Sequence, residues 1–300
     1  MMNNLHSSEM FEPLISIIIP SYNHGHLIEN ALNSVINQTY KNWEIIIVDN
    51  NSQDNTAAIV SSFGLEKQIR FLKIDNGGII GKSRNYGIKN SNGEFIAFLD
   101  SDDWWHPNKL SESVRYLEKK ADLVYHDLWL VRNQGQSSFR EKVRTRNLST
   151  PVFEDLLLKG NAITNSSVVI RKSILFRIGL LSEDPDFIAW EDFDCWLRVS
   201  METEKFVKVP KILGYYWLGG GNTSNSERTI KILNEILLRY SKHFQMAASK
   251  GLYPSWIDYG ILVAKIELGL LDFKNLISNL NYLSFQHKIK IIFKYFFFKK

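Results

Sequence analysis

Short apolar runs alternate with segments of helical spacing from residue 14 to residue 100. Runs rich in β-branched residues predict buried strands, whereas apolar residues three or four positions apart predict amphipathic helices. The predicted strands are 14–20, 43–49, 69–74 and 94–100, and the predicted helices between them are 26–37, 54–63 and 82–90. Strands that alternate with helices predict an α/β fold with a Rossmann-like, mostly parallel sheet and helices on both faces.

The pattern is less regular in the second part of the chain. It predicts a helix from Pro107 to about Lys120, strands at 123–126 and 167–170, a helix at 191–201 and one or two short strands within 206–216. Residues 132–149 are polar and poorly patterned, which predicts an exposed loop. From Ser226 onward the spacing is helical to the end. We therefore predict an α/β domain over 1–225 and a helical C-terminal region over 226–300.

Polar residues follow the predicted strands at the points where the strands end. Ser21, Tyr22 and Asn23 follow the first strand, Asp49 ends the second, and the acidic segment 100–103 ends the fourth. In open parallel sheets, ligands bind beyond the carboxyl ends of the strands. The sequence therefore predicts a binding site at this edge of the sheet.

The acidic segment contains Asp100, Asp102 and Asp103, with Ser101 between the first two. Three crowded carboxylates repel one another unless a positive charge lies among them. Mg²⁺ or Mn²⁺ prefers carboxylate oxygens and leaves coordination positions for the oxygens of a phosphate group. A solvated turn that caps the helix after Pro107 is the alternative interpretation. The position at a strand end favours a metal site that would hold a diphosphate.

Composition and charge narrow the classes of function. A chain of 300 residues is long enough for one large α/β domain with an appendage. The net charge of +4 is too small to indicate a nucleic-acid partner, so none is predicted. The single cysteine, Cys195, excludes an intramolecular disulfide. The polar N-terminal segment and the lack of a long apolar run predict a cytoplasmic protein without a secretory signal or a membrane span.

The last residues, HKIKIIFKYFFFKK at 287–300, combine lysines with aromatic and aliphatic side chains. This segment is too short and too charged to cross a bilayer. A basic, aromatic, amphipathic helix suits the headgroup zone of an anionic membrane, which predicts peripheral attachment at the inner face of the cell membrane. Packing of the helix on the domain, or a contact between subunits, is the alternative.

Three segments, taken together and in order, resemble the motifs of the family 2 glycosyltransferases, which have the GT-A fold. They are SIIIPSYNHGHLIENALNSVINQTYKNWEIIIVDNNSQDNT, NGGIIGKSRNYGIKNSNGEFIAFLDSDDWWHPNKL and WEDFDCWLRVS. The resemblance covers about 15–216 and does not extend into the C-terminal region. It implies a metal-dependent, inverting hexosyl- or N-acetylhexosaminyltransferase whose donor is a nucleotide diphosphate sugar, usually a UDP-sugar. The implied acceptor is a hydroxyl of a glycan or a lipid-linked oligosaccharide, as in bacterial surface polysaccharide synthesis.

The resemblance also implies roles for particular residues. The residues implied to contact the donor are Pro20, Ser21, Tyr22, Asn23, Asp49, Arg84, Asp100, Ser101 and Asp102. Within this set, Asp49 would bind the base, Arg84 would reach the nucleotide or the diphosphate, and Asp100 and Asp102 would form a DxD motif that holds Mn²⁺ or Mg²⁺. Asp192 would be the catalytic base, with Glu191 beside it.

Two features of the sequence depart from the pattern or compete with it. The family often has a second acid after the second strand, where this chain has Asn50, although an amide can still donate and accept hydrogen bonds. Glu191 and Asp194 compete with Asp192 for the role of base, because acids are common in the first turn of any helix.

The side chains around the acidic segment allow more than one interpretation. Trp104 and Trp105 suit either packing against a sugar ring or packing in the core. His24, His26 and His106 suit either a ligand contact or a surface position at a helix cap.

Three other functions fit the sequence less well. Nucleotidyl transfer to a sugar phosphate would need a glycine-rich, basic loop after the first strand, and SYNHGH is not one. Nucleotide triphosphate hydrolysis is a second alternative, because the segment NGGIIGKS ends like a P-loop. That pattern requires glycine at its first position, where this chain has Asn76. A carbohydrate-binding protein without activity would have no use for the near-complete set of acids.

Overall fold

The computed structural model describes residues 12–64, 67–133, 135–143, 145–219 and 225–298. The prediction about a secretory signal lies outside these residues. The strands are β1 (Ile15–Ser21), β2 (Trp43–Asp49), β3 (Ile69–Lys73), β4 (Phe95–Phe98), β5 (Trp104–Trp105), β6 (Leu123–Val131), β7 (Lys142–Val143), β8 (Val169–Arg171) and β9 (Phe206–Trp217). The helices are α1 (Gly25–Ile36), α2 (Thr56–Ser62), α3 (Ile80–Lys89), α4 (Lys109–Glu118), α5 (Val152–Lys159), α6 (Lys172–Arg177), α7 (Glu191–Glu202), α8 (Ser226–Arg239), α9 (Ser241–Ser249), α10 (Ser255–Glu267), α11 (Phe273–Asn279) and α12 (Phe285–Phe298).

The described strands form one nine-stranded sheet in the order β3-β2-β1-β4-β8-β6-β9-β5, with β7 paired to β6. The first half is parallel, because β1 pairs with β2 and β4 and β2 pairs with β3 in that sense. The second half is mixed: β8 is antiparallel to β4 and β6, β9 is parallel to β6, and β5 is antiparallel to β9. The predicted α/β fold is confirmed, with antiparallel pairs added in its second half.

Strands β1 and β2 are buried on both faces, which explains their continuous apolar sequences. Successive side chains point to opposite faces of a sheet, so Ile17 and Ile19 pack on one side and Ile18 on the other. The first side is covered by α1, α2 and α4. The second is covered by α3, α5, α6 and α7 together with the C-terminal helices α8 and α10.

The predicted C-terminal region shares the core of the α/β domain in part. Ile232, Ile236 and Ile257, from α8 and α10, are buried in the same cluster as the sheet residues. Residues of α10, α11 and α12 form a separate small cluster around Leu276 and Ile291. No helix of the described residues is long and apolar enough to cross a membrane.

Strand β6 is longer than the sequence predicts, because it continues past Asp127 to Val131. Asp127 lies within it, where the sequence suggests that the strand has ended. The structure balances this buried carboxylate with salt bridges from Lys142 and Lys208 and a hydrogen bond from Thr145 Oγ1. Two of these partners lie in the predicted loop 132–149, which contains the short strand β7. Helices α5 and α6 and strand β5 are also absent from the prediction.

Candidate active site

Strand register brings the predicted binding residues to one edge of the sheet. Ser21 pairs directly with Asp49, the last residue of β2. Ile18 of β1 pairs with Phe98, the last residue of β4, so Asp100 lies two residues beyond the same end of the sheet. Both Ser21 and Asp49 are buried.

Asp49 is held in a network that closes the loops after β1 and β2. Its carboxylate accepts hydrogen bonds from the backbone N–H of Ser52 at 2.9 Å and from the Ser52 hydroxyl. The Ser52 hydroxyl in turn accepts a hydrogen bond from the backbone N–H of Asn23 at 2.8 Å. Asn23 and Asn51 have positive φ angles of 53° and 56°, which asparagine tolerates better than most residues. Two neighbouring strand ends are thereby fixed to each other, and contact of Asp49 with a base stays a prediction.

Asn50, the departure from the family pattern, fixes the next loop. Its side-chain oxygen accepts a hydrogen bond from the backbone N–H of Asn76 at 2.9 Å. The Asn76 amide donates to Ser83 Oγ at 2.8 Å and accepts from Gly78 N–H at 2.7 Å. The segment that ends like a P-loop is therefore a turn that leads into α3, and the hydrogen bond between Asn76 and Ser83 holds the turn against the helix.

Arg84, on α3, links the acidic segment to the start of α7. Its guanidinium donates to Asp100 Oδ1 at 2.7 Å and also forms an ion pair with Glu191. Arg84 is only 3% exposed and Glu191 is buried as well. Burial disfavours the charged guanidinium, but the nearby charges of Asp100 and Glu191 outweigh it and raise the pKa of Arg84. In this arrangement Arg84 bridges two carboxylates, and its contact with a nucleotide stays a prediction.

Asp102 and Asp103 have no salt-bridge partner among the described residues. Burial, followed by the charge of Asp100, raises the pKa of Asp102 to about 7. Asp103 Oδ1 accepts a hydrogen bond from the backbone N–H of Trp217 at 2.9 Å, whereas its buried Oδ2 has no partner. Burial, followed by the charges of Asp102 and Asp100, raises the pKa of Asp103 well above its usual value. When Asp100, Asp102 and Asp103 are all ionised, the segment carries more negative charge than Arg84 alone balances.

The chemistry of this donor set fits a hard divalent cation. The described residues contain no group of three or more His, Cys, Asp or Glu side chains placed to hold one ion. Mg²⁺ and Mn²⁺ sites that serve phosphates need only one or two carboxylates, because phosphate oxygens and water complete the coordination. Asp102 meets that requirement directly, and Asp100 is shared with Arg84.

Asp192 is the acid in the first turn of α7 that forms no ion pair within the described chain. Glu191 pairs with Arg84, and Asp194 pairs with Arg198 and Arg239. The Asp192 carboxylate accepts a hydrogen bond from the backbone N–H of Phe193 at 2.6 Å. Burial, followed by the charge of Glu191, raises the pKa of Asp192 to about 7. A carboxylate with this pKa can take up a proton near neutral pH.

The remaining predicted residues occupy different positions around the edge. Pro20 and Ser101 are buried, Asn23 is partly buried, and Tyr22 is exposed. Of the two tryptophans, Trp105 is core and donates a hydrogen bond from Nε1 to the backbone oxygen of Ser166.

Two further residues lie near the acids: Tyr216, to which the sequence assigns no role, and His24, for which it leaves a ligand contact and a surface position open. Tyr216, near the end of β9, has a pKa raised by burial and then by the charges of Asp103, Asp100, Asp102 and Asp192, so its hydroxyl lies within electrostatic reach of all four carboxylates. No sequence motif marks it. The His24 ring lies 2.7 Å from Ser101 Oγ, measured from Nδ1, which joins the loop after β1 to the acidic segment.

Comparisons of sequence relate the chain to known transferases. An uncharacterized glycosyltransferase of Rickettsia typhi is 36% identical over 197 residues, which are 63% of this chain and 60% of that protein. The Escherichia coli protein WfaP, named a UDP-Glc:alpha-D-GlcNAc-diphosphoundecaprenol beta-1,3-glucosyltransferase, is 32% identical over 216 residues, which are 70% of this chain and 80% of that protein. The matched part of the chain spans 59–60% of two Rickettsia relatives and 28–32% of three others.

Solved structures share the fold. S. aureus TarS in complex with UDP-GlcNAc aligns with a TM-score of 0.60 at 19% identity, over 94% of this chain and 89% of that one. A mannosyltransferase from Pyrobaculum calidifontis, in complex with GDP-Man and Mn2+, aligns with a TM-score of 0.59 at 14% identity, over 95% of this chain and 80% of that one. The profile of the family described as Glycosyl transferase family 2 matches residues 16–179, more than half of the 300 residues. The chain therefore belongs to glycosyl transferase family 2 and has the GT-A fold.

Proposed function

We propose that this chain is an inverting glycosyltransferase that moves a sugar from a nucleotide diphosphate sugar, with UDP as the expected nucleotide, to a hydroxyl of a glycan or a lipid-linked oligosaccharide. One observation carries the proposal. Arg84 joins Asp100 to Glu191, and their sequence neighbours Asp102 and Asp192 are left as carboxylates without an ion pair in the described chain. One of these acids suits a metal ion and the other suits a base.

The names of similar proteins support a role in bacterial surface polysaccharide synthesis. The E. coli relative WfaP is named for transfer from UDP-Glc to a diphosphoundecaprenol-linked sugar. A Bacillus subtilis relative, 33% identical over 112 residues, is named a putative teichuronic acid biosynthesis glycosyltransferase. The TarS structure contains UDP-GlcNAc. These are properties of the relatives, and the donor and acceptor of this chain are proposed from them.

The proposed reaction is a single displacement at the anomeric carbon. The acceptor oxygen forms a bond to that carbon while the bond to the diphosphate oxygen breaks, and the nucleotide diphosphate leaves with the electron pair. Asp192 takes the proton of the acceptor hydroxyl, because a free hydroxyl is a poor nucleophile at neutral pH. One displacement inverts the configuration, so no covalent intermediate on the protein is needed.

Other residues bind and orient the donor. Ser21 and Asp49 end strands β1 and β2, and Asn23 lies on the loop after β1; together they would form the floor of the nucleotide pocket. Arg84 fixes the distance between the acidic segment and α7. When bound at Asp102 and Asp100, Mn²⁺ or Mg²⁺ would hold the diphosphate oxygens and neutralise the charge that builds on them.

We further propose that α12 attaches the protein to an anionic membrane surface. Phe285, Ile289 and Phe293 lie four residues apart on one face of the helix and are 78%, 44% and 74% exposed. Lys290 is exposed between them. The opposite face packs into the C-terminal cluster through Ile291, so the helix has both a docked face and an apolar face toward solvent. Such a face with flanking lysines suits the headgroup zone of an anionic bilayer.

The proposed activity is tested by release of nucleotide diphosphate from a panel of UDP- and GDP-sugars in Mn²⁺ with lipid-linked acceptors. We expect turnover with a UDP-sugar, loss of turnover in EDTA and recovery with added Mn²⁺. The variant Glu118→Gln, which changes an exposed carboxylate on α4, serves as the control, and its turnover in Mn²⁺ and in EDTA should match that of wild type. Turnover that is unaffected by EDTA would reject the metal role.

The metal site is tested by thermal unfolding without any substrate. Because the pKa of Asp102 is raised to about 7 in the folded protein, ionisation there opposes folding, and stability in EDTA should fall as the pH rises from 5 to 8. Asp102→Asn should weaken this dependence. Mn²⁺ at about 100 times its Kd should raise the wild-type Tm by about 4 °C, and the variant should lose that shift. An equal Mn²⁺ shift in Asp102→Asn would remove Asp102 from the site.

The pH dependence of kcat tests the base. Asp192 acts when ionised, and its pKa is raised to about 7, so kcat should rise between pH 6 and pH 8 and then level off. Asp192→Asn should lower kcat by about 10²- to 10⁴-fold while donor binding is retained. A variant that keeps the wild-type rate and profile would show that another group takes the proton.

Membrane attachment is tested by sedimentation with vesicles that contain phosphatidylglycerol. Wild type should bind, and the variant with Phe285→Ser, Ile289→Ser and Phe293→Ser should not. Leu238→Ser, which changes a side chain that is 69% exposed on α8, is the matched control and should bind like wild type. If the triple variant binds as well as wild type does, α12 is not the attachment element.

A further inference from the structure

A concave surface lies beside the acidic segment and is not used by the proposed mechanism. It is a cavity of about 670 Å³ between α1, β5, the end of β9 and residues 131–133 and 135–139, and we call it the aromatic groove. Its size falls within the range of small-molecule sites, about 300–1,000 Å³. The residues that face each other across it are His26, Asn30, Asn37, Trp104, Phe139 and Tyr215.

One wall of the aromatic groove is made of stacked rings. Trp104 and Tyr215 lie nearly parallel, with centroids 5.4 Å apart and an interplanar angle of 16°. Phe139 packs against Tyr215 with a centroid distance of 5.0 Å. All three rings are partly exposed, whereas Val131 and Trp217 beneath them are buried. The wall therefore presents flat apolar surfaces on a rigid base.

The opposite wall is a row of amides on α1. Asn30, Asn33 and Asn37 lie three and four residues apart, which places them along one side of the helix. All three are exposed, and their side-chain amides have no hydrogen-bond partner within the described residues. Asparagine is a weak helix former, so three of them in and beside one helix do not serve its stability. They offer donors and acceptors to a ligand instead.

The lining of the aromatic groove carries no carboxylate, lysine or arginine among the described residues. A phosphate or another anion would need cations, and an apolar helix would have no use for a row of amides. Aromatic faces opposite neutral donors and acceptors match a sugar ring, which has apolar C–H faces and a rim of hydroxyl groups. The ligand class that fits is a neutral oligosaccharide.

The aromatic groove adjoins the candidate active site through direct contacts. Trp104 follows Asp103 in sequence, and Trp217 donates its backbone N–H to Asp103 Oδ1. The His26 ring lies edge-on to the His24 ring at 6.2 Å, and His24 contacts Ser101. A ligand bound in the groove would therefore lie beside the acidic segment.

From these observations we propose that the aromatic groove binds neutral sugar units of the acceptor, namely those that precede the unit carrying the reacting hydroxyl. The proposal rests on the proposed transferase function for the identity of the ligand as acceptor. It assigns the stacking surface to Trp104 and Tyr215, and the hydrogen bonds to the amide row on α1. Specificity for a longer acceptor would then arise outside the catalytic residues.

The test is direct binding in the absence of donor. The full chain is titrated with neutral tetrasaccharides of glucose, galactose or N-acetylglucosamine, and binding is measured by calorimetry and saturation-transfer NMR. We expect at least one probe to bind wild type, and the variant with Asn30→Ala, Asn33→Ala and Asn37→Ala to bind it at least tenfold more weakly. Asn234→Ala, which changes an exposed amide on α8, is the matched control and should bind like wild type.

Acceptor kinetics provide the second readout. The triple variant should raise the KM for a long acceptor at least tenfold, with kcat, the KM for donor and the KM for a monosaccharide acceptor unchanged. Trp104→Ala should act in the same direction, with Trp104→Phe restoring most of the affinity through its aromatic face. An equal effect of the triple variant on short and long acceptors would overturn the proposal.

The outcomes separate this proposal from the proposed function. If no tetrasaccharide binds wild type while the chain still turns over donor, the assignment of the groove is wrong and the transferase function stands. If a tetrasaccharide binds and the amide variant weakens it, but no donor is turned over, the groove is a sugar site and the function fails. Analytical ultracentrifugation tests whether the groove is instead a contact between subunits. If wild type is a dimer and the triple variant is a monomer, the groove is a subunit contact and the proposal is overturned.

Discussion

The buried ion pairs of Arg84 set the geometry of the candidate active site. One guanidinium joins Asp100, which is 16 residues away in sequence, to Glu191, which is 107 residues away. Asp102 and Asp192 are near neighbours of these two acids, so their separation depends on the bridge. Removing one partner of a buried ion pair costs about 3–5 kcal/mol, because a charge is left without compensation. The structure around the site therefore depends on an arginine that need not touch any substrate.

The bridge leaves an imbalance of charge. Asp102, Asp103 and Asp192 remain without an ion pair in the described chain, and the pKa of each is raised, first of all by burial. Such crowding opposes folding unless a ligand brings positive charge. Binding of a divalent cation would therefore stabilise such a site, and the bound cation would in turn favour binding of a diphosphate. Burial, followed by the charge of Glu191, raises the pKa of Asp192, the carboxylate that we propose as base, to about 7.

The sequence was sufficient to predict the parallel half of the sheet and the acids at its edge, because uninterrupted apolar runs mark strands that are buried on both faces. It did not separate Asp192 from Asp194, since both lie in the first turn of α7. What distinguishes them is that Asp194 forms ion pairs with Arg198, one turn further along α7, and with Arg239 on α8. The sequence also did not predict the position of Tyr216 near the acids or the continuation of β6 through Asp127. Both depend on charged residues that come from other elements of the fold. The spacing of the asparagines on α1 can be read from the sequence. That they line one side of a groove is known only from the structure, in which β5 and β9 form the other side.

The central claim is that the acidic segment holds a divalent ion at Asp102 beside a nucleotide diphosphate. Anomalous X-ray scattering from crystals grown with Mn²⁺ and UDP measures this directly. The account predicts a manganese peak in direct contact with an Asp102 carboxylate oxygen and with the UDP phosphates, while Arg84 still bridges Asp100 and Glu191. Manganese bound elsewhere, or UDP bound with Asp102 turned away from it into solvent, would contradict the account.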